Sequence, residues 1–173
     1  MKKSVKIVLL IVTAVMIVVG VMNLVNVDIH VERTKSIDAS VETIQPLITD
    51  FKKFETWSPW ADIDPNATAE FKGTQGEVGA EFHWSGNDEI GTGYQKVTSI
   101  TPERIDLDLV FTSPWESESK VYYTFASEGG STDVTWAYDG EMPMMASLFV
   151  DMEEVLGGQY EKGLNSLKEK LEQ

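Results

Sequence analysis

The stretch Phe54-Glu55-Thr56-Trp57-Ser58-Pro59-Trp60-Ala61-Asp62-Ile63-Asp64-Pro65 separates two parts of the chain that differ in periodicity, and it holds two of the five tryptophans. Pro59 fixes its own φ and pushes Ser58 towards extended geometry. The rings of Trp57 and Trp60 are therefore presented on a rigid bend, which suits a wall with aromatic faces. We interpret this bend as the turn between the two halves of the domain and as a candidate ligand contact.

The residues before the bend predict one strand and a short helical pair. Apolar side chains alternate with polar ones over residues 27–37, which is the period of a half-buried strand and places His30 on its polar face. Ser40 is suited to an N-cap, so residues 41–54 are predicted to form two short helices. Pro46 is expected to break or kink this segment because it has no backbone N–H to donate.

After the bend the signals change to strands. Glycine and proline residues punctuate six runs, and because the turns between them are short, consecutive strands are expected to pair antiparallel. The predicted strands cover residues 69–73, 78–85, 90–100, 104–112, 116–127 and 132–141. One face of this meander is apolar and the other carries charged residues, so one side is expected to be covered and the other solvated.

The C-terminal segment is expected to cover the apolar face of the sheet. Its apolar residues recur at steps of three or four, which is the spacing of one helical face. These residues are Phe149, Met152, Leu156, Tyr160, Leu164, Leu167 and Leu171. The sequence therefore predicts an α+β domain in which one long helix lies across an antiparallel sheet.

The N-terminus combines positive charge with an apolar run. Lys2, Lys3 and Lys6 precede an uncharged, mainly apolar run over residues 7–27, which is long enough to cross a bilayer. The alternative is a secretory signal peptide, whose apolar region is usually about 7–15 residues long and ends at an Ala-x-Ala-like site that this run lacks. We expect an uncleaved, single-pass anchor in the cell (inner) membrane. Its N-terminus is expected to be cytoplasmic and the domain periplasmic or extracellular.

Charge and composition exclude several classes of function. Three of the 14 basic residues and none of the 28 acidic ones precede position 28, so the rest of the chain has 11 basic residues and a formal charge of −17. Such an acidic protein is not expected to bind nucleic acid. The chain has no cysteine, which excludes disulfides and thiolate metal sites. His30 and His83 fall on polar strand faces without a second ligand at short spacing, so neither a metal nor a cofactor is expected.

A series of short motifs adds to this pattern of strands and helices. In chain order they are Val31-Glu32-Arg33, Asp50-Phe51, Trp57-Ser58-Pro59-Trp60, Asp64-Pro65, Gly76, Val78-Gly79, Gly91-Thr92-Gly93, Val134-Thr135-Trp136 and Gly163-Leu164-Asn165-Ser166-Leu167-Lys168. The ordered set resembles the polyketide cyclase/dehydrase and lipid-transport branch of the SRPBCC superfamily, and the order of elements resembles its helix-grip (START-like) fold. The resemblance spans about residues 28–172.

This resemblance implies a curved antiparallel sheet wrapped around the long C-terminal helix, with a cavity for a hydrophobic ligand such as a lipid, isoprenoid, sterol or aromatic polyketide. It does not imply a shared reaction, since fold and function separate readily. We divide the chain into residues 1–27, with the lysines and the transmembrane anchor, and a START-like ligand-binding domain over residues 28–173. The oligomeric state is left open.

The expected lining of this cavity combines the apolar face of the sheet, the bend and the start of the last helix. The candidate ligand-binding residues are Trp57, Trp60, Phe82, Trp84, Tyr94, Leu107, Leu109, Phe111, Tyr123, Trp136, Tyr138, Met142, Met145, Phe149 and Met152. Each one would equally serve an ordinary core. As a set, their excess of aromatic and methionine side chains favours a pocket that tolerates varied apolar shapes.

Three functions follow from these observations. The preferred one is a membrane-anchored module that binds a hydrophobic small molecule or lipid without catalysis. The alternative is a polyketide cyclase/dehydrase-like enzyme, which needs a buried titratable group; Glu141, where the last strand meets the helix, is the candidate acid or base. A third is an envelope interaction or stress-response protein with a vestigial pocket, whose acidic outer face, including Asp106 and Asp108, binds a partner.

Overall fold

The structure, a computed structural model, describes residues 3–172; Lys2 of the predicted positive flank and Gln173 lie outside the described residues. Within that range the chain forms five helices and seven strands. The helices are α1 (Lys3–Leu24), α2 (Val41–Thr49), α3 (Phe51–Phe54), α4 (Met144–Ser147) and α5 (Met152–Leu171). The strands are β1 (Asn26–Ile37), β2 (Thr68–Lys72), β3 (Glu81–Ser85), β4 (Thr92–Ile100), β5 (Arg104–Ser113), β6 (Ser117–Glu128) and β7 (Ser131–Pro143).

The strands form one antiparallel sheet in the order β1-β7-β6-β5-β4-β3-β2. From β2 to β7 neighbours in sequence are neighbours in the sheet, which confirms the predicted meander. β1 completes the sheet by pairing with β7 along its whole length, from Asn26 opposite Pro143 to Ile37 opposite Thr132. With α5 packed against β1 and β7, the predicted α+β helix-grip architecture is confirmed.

The two faces of the sheet differ in chemistry, as the alternation predicts. The inner face supplies most of the core, including Val31, Ile105, Leu107, Val121, Tyr123, Val134 and Trp136, each 2% exposed or less. On the outer face, charged side chains pair across or along strands: Arg104 with Asp106, Lys120 with Asp108, Lys96 with Glu81 and His30 with Asp139. Exposed pairs of this kind contribute little to stability, so burial on the inner face holds the sheet together.

Helix α5 begins at Met152, after Asp151. The carboxylate of Asp151 accepts a hydrogen bond from the backbone N–H of Glu154 at 3.2 Å and so caps the helix. Glu153 also lies in the first turn, where its charge suits the helix dipole. Phe149, which fits the three-to-four spacing of the helix, therefore lies in the preceding turn, and 81% of it is exposed. The expectation that Phe149 opens the apolar side of this helix is wrong.

Two glycines let α5 approach the sheet closely. A Cβ atom on Gly163 would lie 2.8 Å from Cζ3 of Trp136 and 3.1 Å from Cδ of Pro59. A Cβ atom on Gly157 would collide with the guanidinium of Arg33. The absence of a side chain at Gly163 sets the distance between α5, the sheet and the bend, whereas at Gly157 it leaves room for the end of the Arg33 side chain.

Helix α1 is long and apolar enough over Ser4–Leu24 to cross a membrane, and none of this span is buried against the domain. Length and composition fit either a membrane anchor or a signal sequence. The helix meets the domain at α4: the two elements pack together, and the backbone N–H of Met144 donates to the carbonyl oxygen of Val25 at 2.8 Å. The end of α1 is thereby fixed beside the end of β7.

We predict that Gly163→Ala lowers the free energy of unfolding by about 1–3 kcal/mol, because the added methyl group is forced against a ring that is itself tightly packed. Gly158→Ala is the matched control on the same helix. A Cβ atom there meets nothing within 4 Å, so this change should raise stability by about 0.5–1 kcal/mol. Urea unfolding in a mild non-ionic detergent measures both, and equal effects would contradict the close approach at Gly163.

Candidate ligand-binding site

The ring of Trp136 on β7 lies at the centre of an aromatic cluster beneath α5. Tyr160 stacks on it with ring centroids 4.2 Å and planes 9° apart, and Tyr123 stacks at 5.1 Å. Trp57 and Trp60 approach it edge-on at 5.6 and 5.5 Å. Only 1% of Trp136 is exposed, so this part of the interior is filled by rings in contact with one another. We call these five residues the aromatic cluster.

The Trp-Ser-Pro-Trp bend, which joins α3 to β2, gives its two rings different environments. Trp57 is 3% exposed, and its Nε1 donates to the carbonyl oxygen of Leu47 at 2.8 Å. Trp60 is half-buried against the aromatic cluster. Pro59 lies beneath α5, next to Gly163. The bend therefore ties α2, the sheet and α5 together, and Trp57 is its structural anchor, whereas Trp60 keeps free surface.

The predicted lining residues fall into several environments. Six are in the buried core: Trp57, Leu107, Leu109, Tyr123, Trp136 and Tyr138. Four are half-buried against it: Trp60, Phe82, Trp84 and Phe111. Met142, Met145, Met152 and Tyr94 are half-buried elsewhere, and Phe149 is exposed.

Tyr94 lies on the outer face of the sheet, contrary to expectation. It pairs with His83 across β3 and β4, and the two rings stack with centroids 5.2 Å apart. The inner face at this level is formed by the next pair, Trp84 opposite Gly93. Tyr94 borders a groove of about 470 Å³ at the edge formed by β2, β3 and β4, which we call the edge groove.

Beyond the aromatic cluster, a row of half-buried rings lines the inner face of β2, β3 and β5. Phe71 stacks on Phe82 at 5.5 Å, Phe82 contacts Trp84 at 5.8 Å, and Trp84 meets Phe111 edge-on at 5.4 Å. Trp84 lies over Gly93, where a Cβ atom would come within 2.9 Å of its ring. The row extends the aromatic wall towards the far edge of the sheet.

A second groove, of about 570 Å³, is open to solvent between β1 and the segment that joins α4 to α5; we call it the β1 groove. Its lining residues are Asp28, Ile29, His30, Val31, Ser147, Leu148, Phe149, Val150, Asp151, Met152 and Glu153. Apolar side chains from both walls are joined by an acidic rim. Of these residues only Phe149 and Met152 were predicted. Leu148 and Val150 could have been found from the consecutive apolar run Leu148-Phe149-Val150, which no core position requires.

The sequence matches a known family over the whole domain. Residues 28–172 fit the sequence profile of the family described as polyketide cyclase/dehydrase and lipid transport. The chain belongs to this family. No curated protein sequence matches the chain significantly.

Solved structures share the fold of this polyketide cyclase/dehydrase and lipid-transport domain at low sequence identity. The Mll3558 protein from Rhizobium loti is 17% identical with a TM-score of 0.64, and the match covers 85% of this chain and 99% of that chain. The Aha1 dimer from Colwellia psychrerythraea is 18% identical with a TM-score of 0.60, over 83% and 96% of the two chains. CalU16 from Micromonospora echinospora is 17% identical with a TM-score of 0.52, over 83% of each. At these identities the likeness extends to the fold alone.

The buried titratable side chains of the described part of this family domain are tyrosines. Burial raises the pKa of Tyr123 and of Tyr160 well above the usual range, so both hydroxyls stay protonated at neutral pH. The hydroxyls of Tyr138 and Ser119 are buried and lie 2.9 Å apart. These hydroxyls are suited to hydrogen bonding.

One buried polar atom of the aromatic cluster has no partner. Nε1 of Trp136 is buried and finds no hydrogen-bond acceptor within residues 3–172. A buried donor left unpaired costs about 1–3 kcal/mol. Such a donor is a place where water or a polar atom of a ligand would be stabilising.

Glu141 is exposed on the outer face, opposite Asp28 of β1. Its carboxylate accepts a hydrogen bond from Nδ2 of Asn26 at 3.1 Å. The side chain therefore points away from the aromatic cluster, and the structure does not bring it together with the buried hydroxyls of Tyr138 and Ser119.

His30 borders the β1 groove and bonds two carboxylates. Its Nδ1 lies 2.6 Å from Oδ1 of Asp139 and its Nε2 lies 3.5 Å from Oε2 of Glu32. The hydrogen bond to Asp139 is the main cause that raises the pKa of His30, and the charges of both carboxylates add to it. The rim of the groove therefore gains positive charge at a higher pH than a free imidazole would provide.

We predict that Asp139→Asn lowers the pKa of His30 towards about 6.5, the value of an unperturbed imidazole. The folded-state pKa is the raised one, so the pair contributes stability that is fully present below about pH 6.5 and is lost as pH rises through the folded-state pKa. Titration of the imidazole ¹H signals by NMR measures this, with His83, the other of the two histidines, as internal reference. An unchanged His30 titration in the variant would rule out Asp139 as the cause.

We predict different outcomes for the two rings of the bend. Trp57→Ala should lower the free energy of unfolding by about 3–5 kcal/mol, because it leaves a cavity and an unpaired carbonyl at Leu47. Trp60→Ala should cost less, because that ring is only half-buried. Urea unfolding of both variants tests this assignment, and a larger loss for Trp60→Ala would reverse it.

Proposed function

We propose that this protein is a membrane-anchored module that holds a hydrophobic small molecule or lipid in the β1 groove. The observation that carries the proposal is this groove of about 570 Å³, in which Ile29 on one wall faces Met152 and the run Leu148-Phe149-Val150 on the other, within a polar and acidic rim. A volume of this size is in the range of small-molecule sites, and the mixed lining offers apolar side chains for a hydrocarbon part and polar groups for a head group. The family's description as lipid transport supports a ligand of this class.

Polar groups for the head of such a ligand lie one strand inward from the groove. Ile29 on its wall pairs with Gly140 on β7. A Cβ atom at Gly140 would collide with the hydroxyls of Tyr138 and Ser119, so glycine keeps this space open for them. Two hydroxyls have two donors and the bond between them uses one. The remaining donor supports a ligand with an acceptor such as a carbonyl or ester oxygen.

Two predicted lining residues outside the β1 groove, Met142 and Met145, are proposed to extend the same site. Met142 follows Gly140 on the inner face of β7, opposite Val27, and Met145 lies on α4. Flexible methionine side chains adapt to varied apolar shapes.

Anchoring by α1 is the second part of the proposal. The span Ser4–Leu24 is 21 residues long, close to the ~20 residues that cross a hydrocarbon core. Lys6 near its start supports a cytoplasmic N-terminus, with the domain on the periplasmic or extracellular side. Intact-mass measurement of the protein extracted from membranes tests retention: loss of residues up to about 26 would make α1 a signal sequence.

We predict that native mass spectrometry of the full chain, released from a mild detergent, shows a bound apolar molecule. Met152→Trp should reduce the bound fraction at least about tenfold, the loss expected when about 1.4 kcal/mol of binding is removed, because the larger ring fills the groove. Val78→Trp is the matched control, since Val78 is exposed outside the groove.

The ligand proposal fails if the wild-type chain carries no apolar molecule under these conditions. If Met152→Trp and Val78→Trp retain the molecule equally, the molecule does not bind in the β1 groove. Equal unfolding midpoints for the two variants ensure that lost retention reflects the groove and not a loosened fold.

A further inference from the structure

We propose that the domain docks onto the surface of the same bilayer that α1 crosses, through an exposed apolar tip formed by Leu148, Phe149, Val150 and Trp115. We call these four residues the apolar tip. The inference rests on the proposed anchoring by α1 and adds a second, peripheral contact between the protein and lipid. It also assigns a role to side chains that take no part in the core.

The first support is exposure. Six large apolar side chains of the domain, among residues 26–172, are exposed: Val78, Trp115, Leu148, Phe149, Val150 and Val155. Four of the six belong to the apolar tip, with 61%, 81%, 41% and 80% exposure for Leu148, Phe149, Val150 and Trp115. Single exposed apolar residues are ordinary, whereas a concentration of large ones at one place marks an interaction surface.

The second support is the position of the tip relative to α1. β7 runs antiparallel to β1, so it ends at Pro143 opposite Asn26, where α1 has just ended. The chain then continues through α4 alongside α1, with the backbone bond from Met144 to Val25 holding the two together. It turns at residues 148–150 before α5 returns over the sheet. The turn therefore projects on the side from which α1 leaves the domain.

Trp115 reaches the same end of the sheet from another hairpin. It lies between β5 and β6, and because β6 is antiparallel to β7, the hairpin is at the end of the sheet where β7 reaches Pro143. Tryptophan is enriched at membrane–water interfaces, where its ring is partly immersed and its N–H stays hydrated. The tip thus has an interfacial tryptophan at the same end of the sheet as Leu148, Phe149 and Val150.

The charge around the tip selects the kind of lipid surface. Asp151 follows it directly, Asp28 lies across the β1 groove, and Glu153 at the rim pairs with Arg33 at 2.7 Å. Acidic groups are repelled by anionic headgroups, so the contact is made with zwitterionic or neutral lipid and is driven by apolar burial. Docking should therefore be insensitive to salt, unlike the electrostatic attachment of a basic surface.

Docking would also place the β1 groove against the bilayer, since Leu148, Phe149 and Val150 belong to its lining. A lipid-like molecule could then pass between the hydrocarbon region and the groove along apolar side chains. The tip would be both the contact with the membrane and the entrance to the site.

The chain has no cysteine, so single cysteines can carry an environment-sensitive fluorophore. We suggest Val150→Cys at the tip, Val12→Cys in α1, and Ser127→Cys at the opposite end of the sheet. Each labelled full-length protein is reconstituted into phosphatidylcholine vesicles. Quenching by lipids that carry a nitroxide near the headgroup or along the acyl chain reports the depth of each position.

Docking predicts that the probes at residues 150 and 12 are both quenched at least about twofold more than the probe at residue 127, at low and at high salt. Adding Phe149→Ser should at least halve the quenching at residue 150, whereas Val78→Ser should leave it unchanged. Both replaced side chains are exposed, so neither change should unfold the domain.

The outcomes separate the two proposals. Quenching at residue 12 without quenching at residue 150 overturns docking and leaves anchoring intact. Absence of quenching at residue 12 overturns anchoring, and docking with it. If the fluorescence of the probe at residue 150 changes when a protein is added but not when vesicles alone are added, the partner of the tip is a protein and the docking proposal is wrong.

Discussion

The stack of Trp136 on Tyr160 is the contact on which the rest of the domain depends. It joins β7 to α5 at 4.2 Å between ring centroids, and the lack of a side chain at Gly163 lets the helix come close enough to make it. Aromatic pairs add about 0.5–1.5 kcal/mol beyond the burial of their area. The larger effect is geometric, because the stack fixes how far α5 lies from the sheet and so how much space remains inside.

Because the stack holds α5 close to the sheet, the space that a ligand could occupy lies at the edge of the domain. The two tryptophans of the bend pack against the same central ring, so the interior next to Trp136 is occupied by protein. The β1 groove instead lies between the first strand and the start of α5, where Met152 and the turn before it leave β1 uncovered. A close contact at the middle of α5 and a groove at its N-terminal end are thus two consequences of one helix position.

The sequence predicts the elements well and the faces less well. Period-two and three-to-four spacings identify the seven strands and α5 because both patterns follow from local geometry. Strict alternation counted back from Ile100, which packs against the core, would point Tyr94 inward. An irregularity in register between Val97 and Ser99 reverses the faces. Phe149 was misplaced because it matches the helical spacing, while the cap at Asp151 starts the helix later. The β1 groove depends on residues that are more than a hundred positions apart in the chain, and no local pattern encodes its shape.

The short connection between α1 and β1 makes the location of the groove significant. Only Val25 separates Leu24 at the end of α1 from the first residue of β1, and a residue spans at most about 3.6 Å. The groove lining that begins at Asp28 therefore lies within about 14 Å of the end of α1. Moving an acyl chain through water costs about 0.8 kcal/mol for each exposed CH₂ group, so ten such groups would oppose transfer by about 8 kcal/mol. Under the proposed anchoring by α1, a groove held this close to the bilayer would reduce that exposure, which a freely diffusing domain with a closed interior would not.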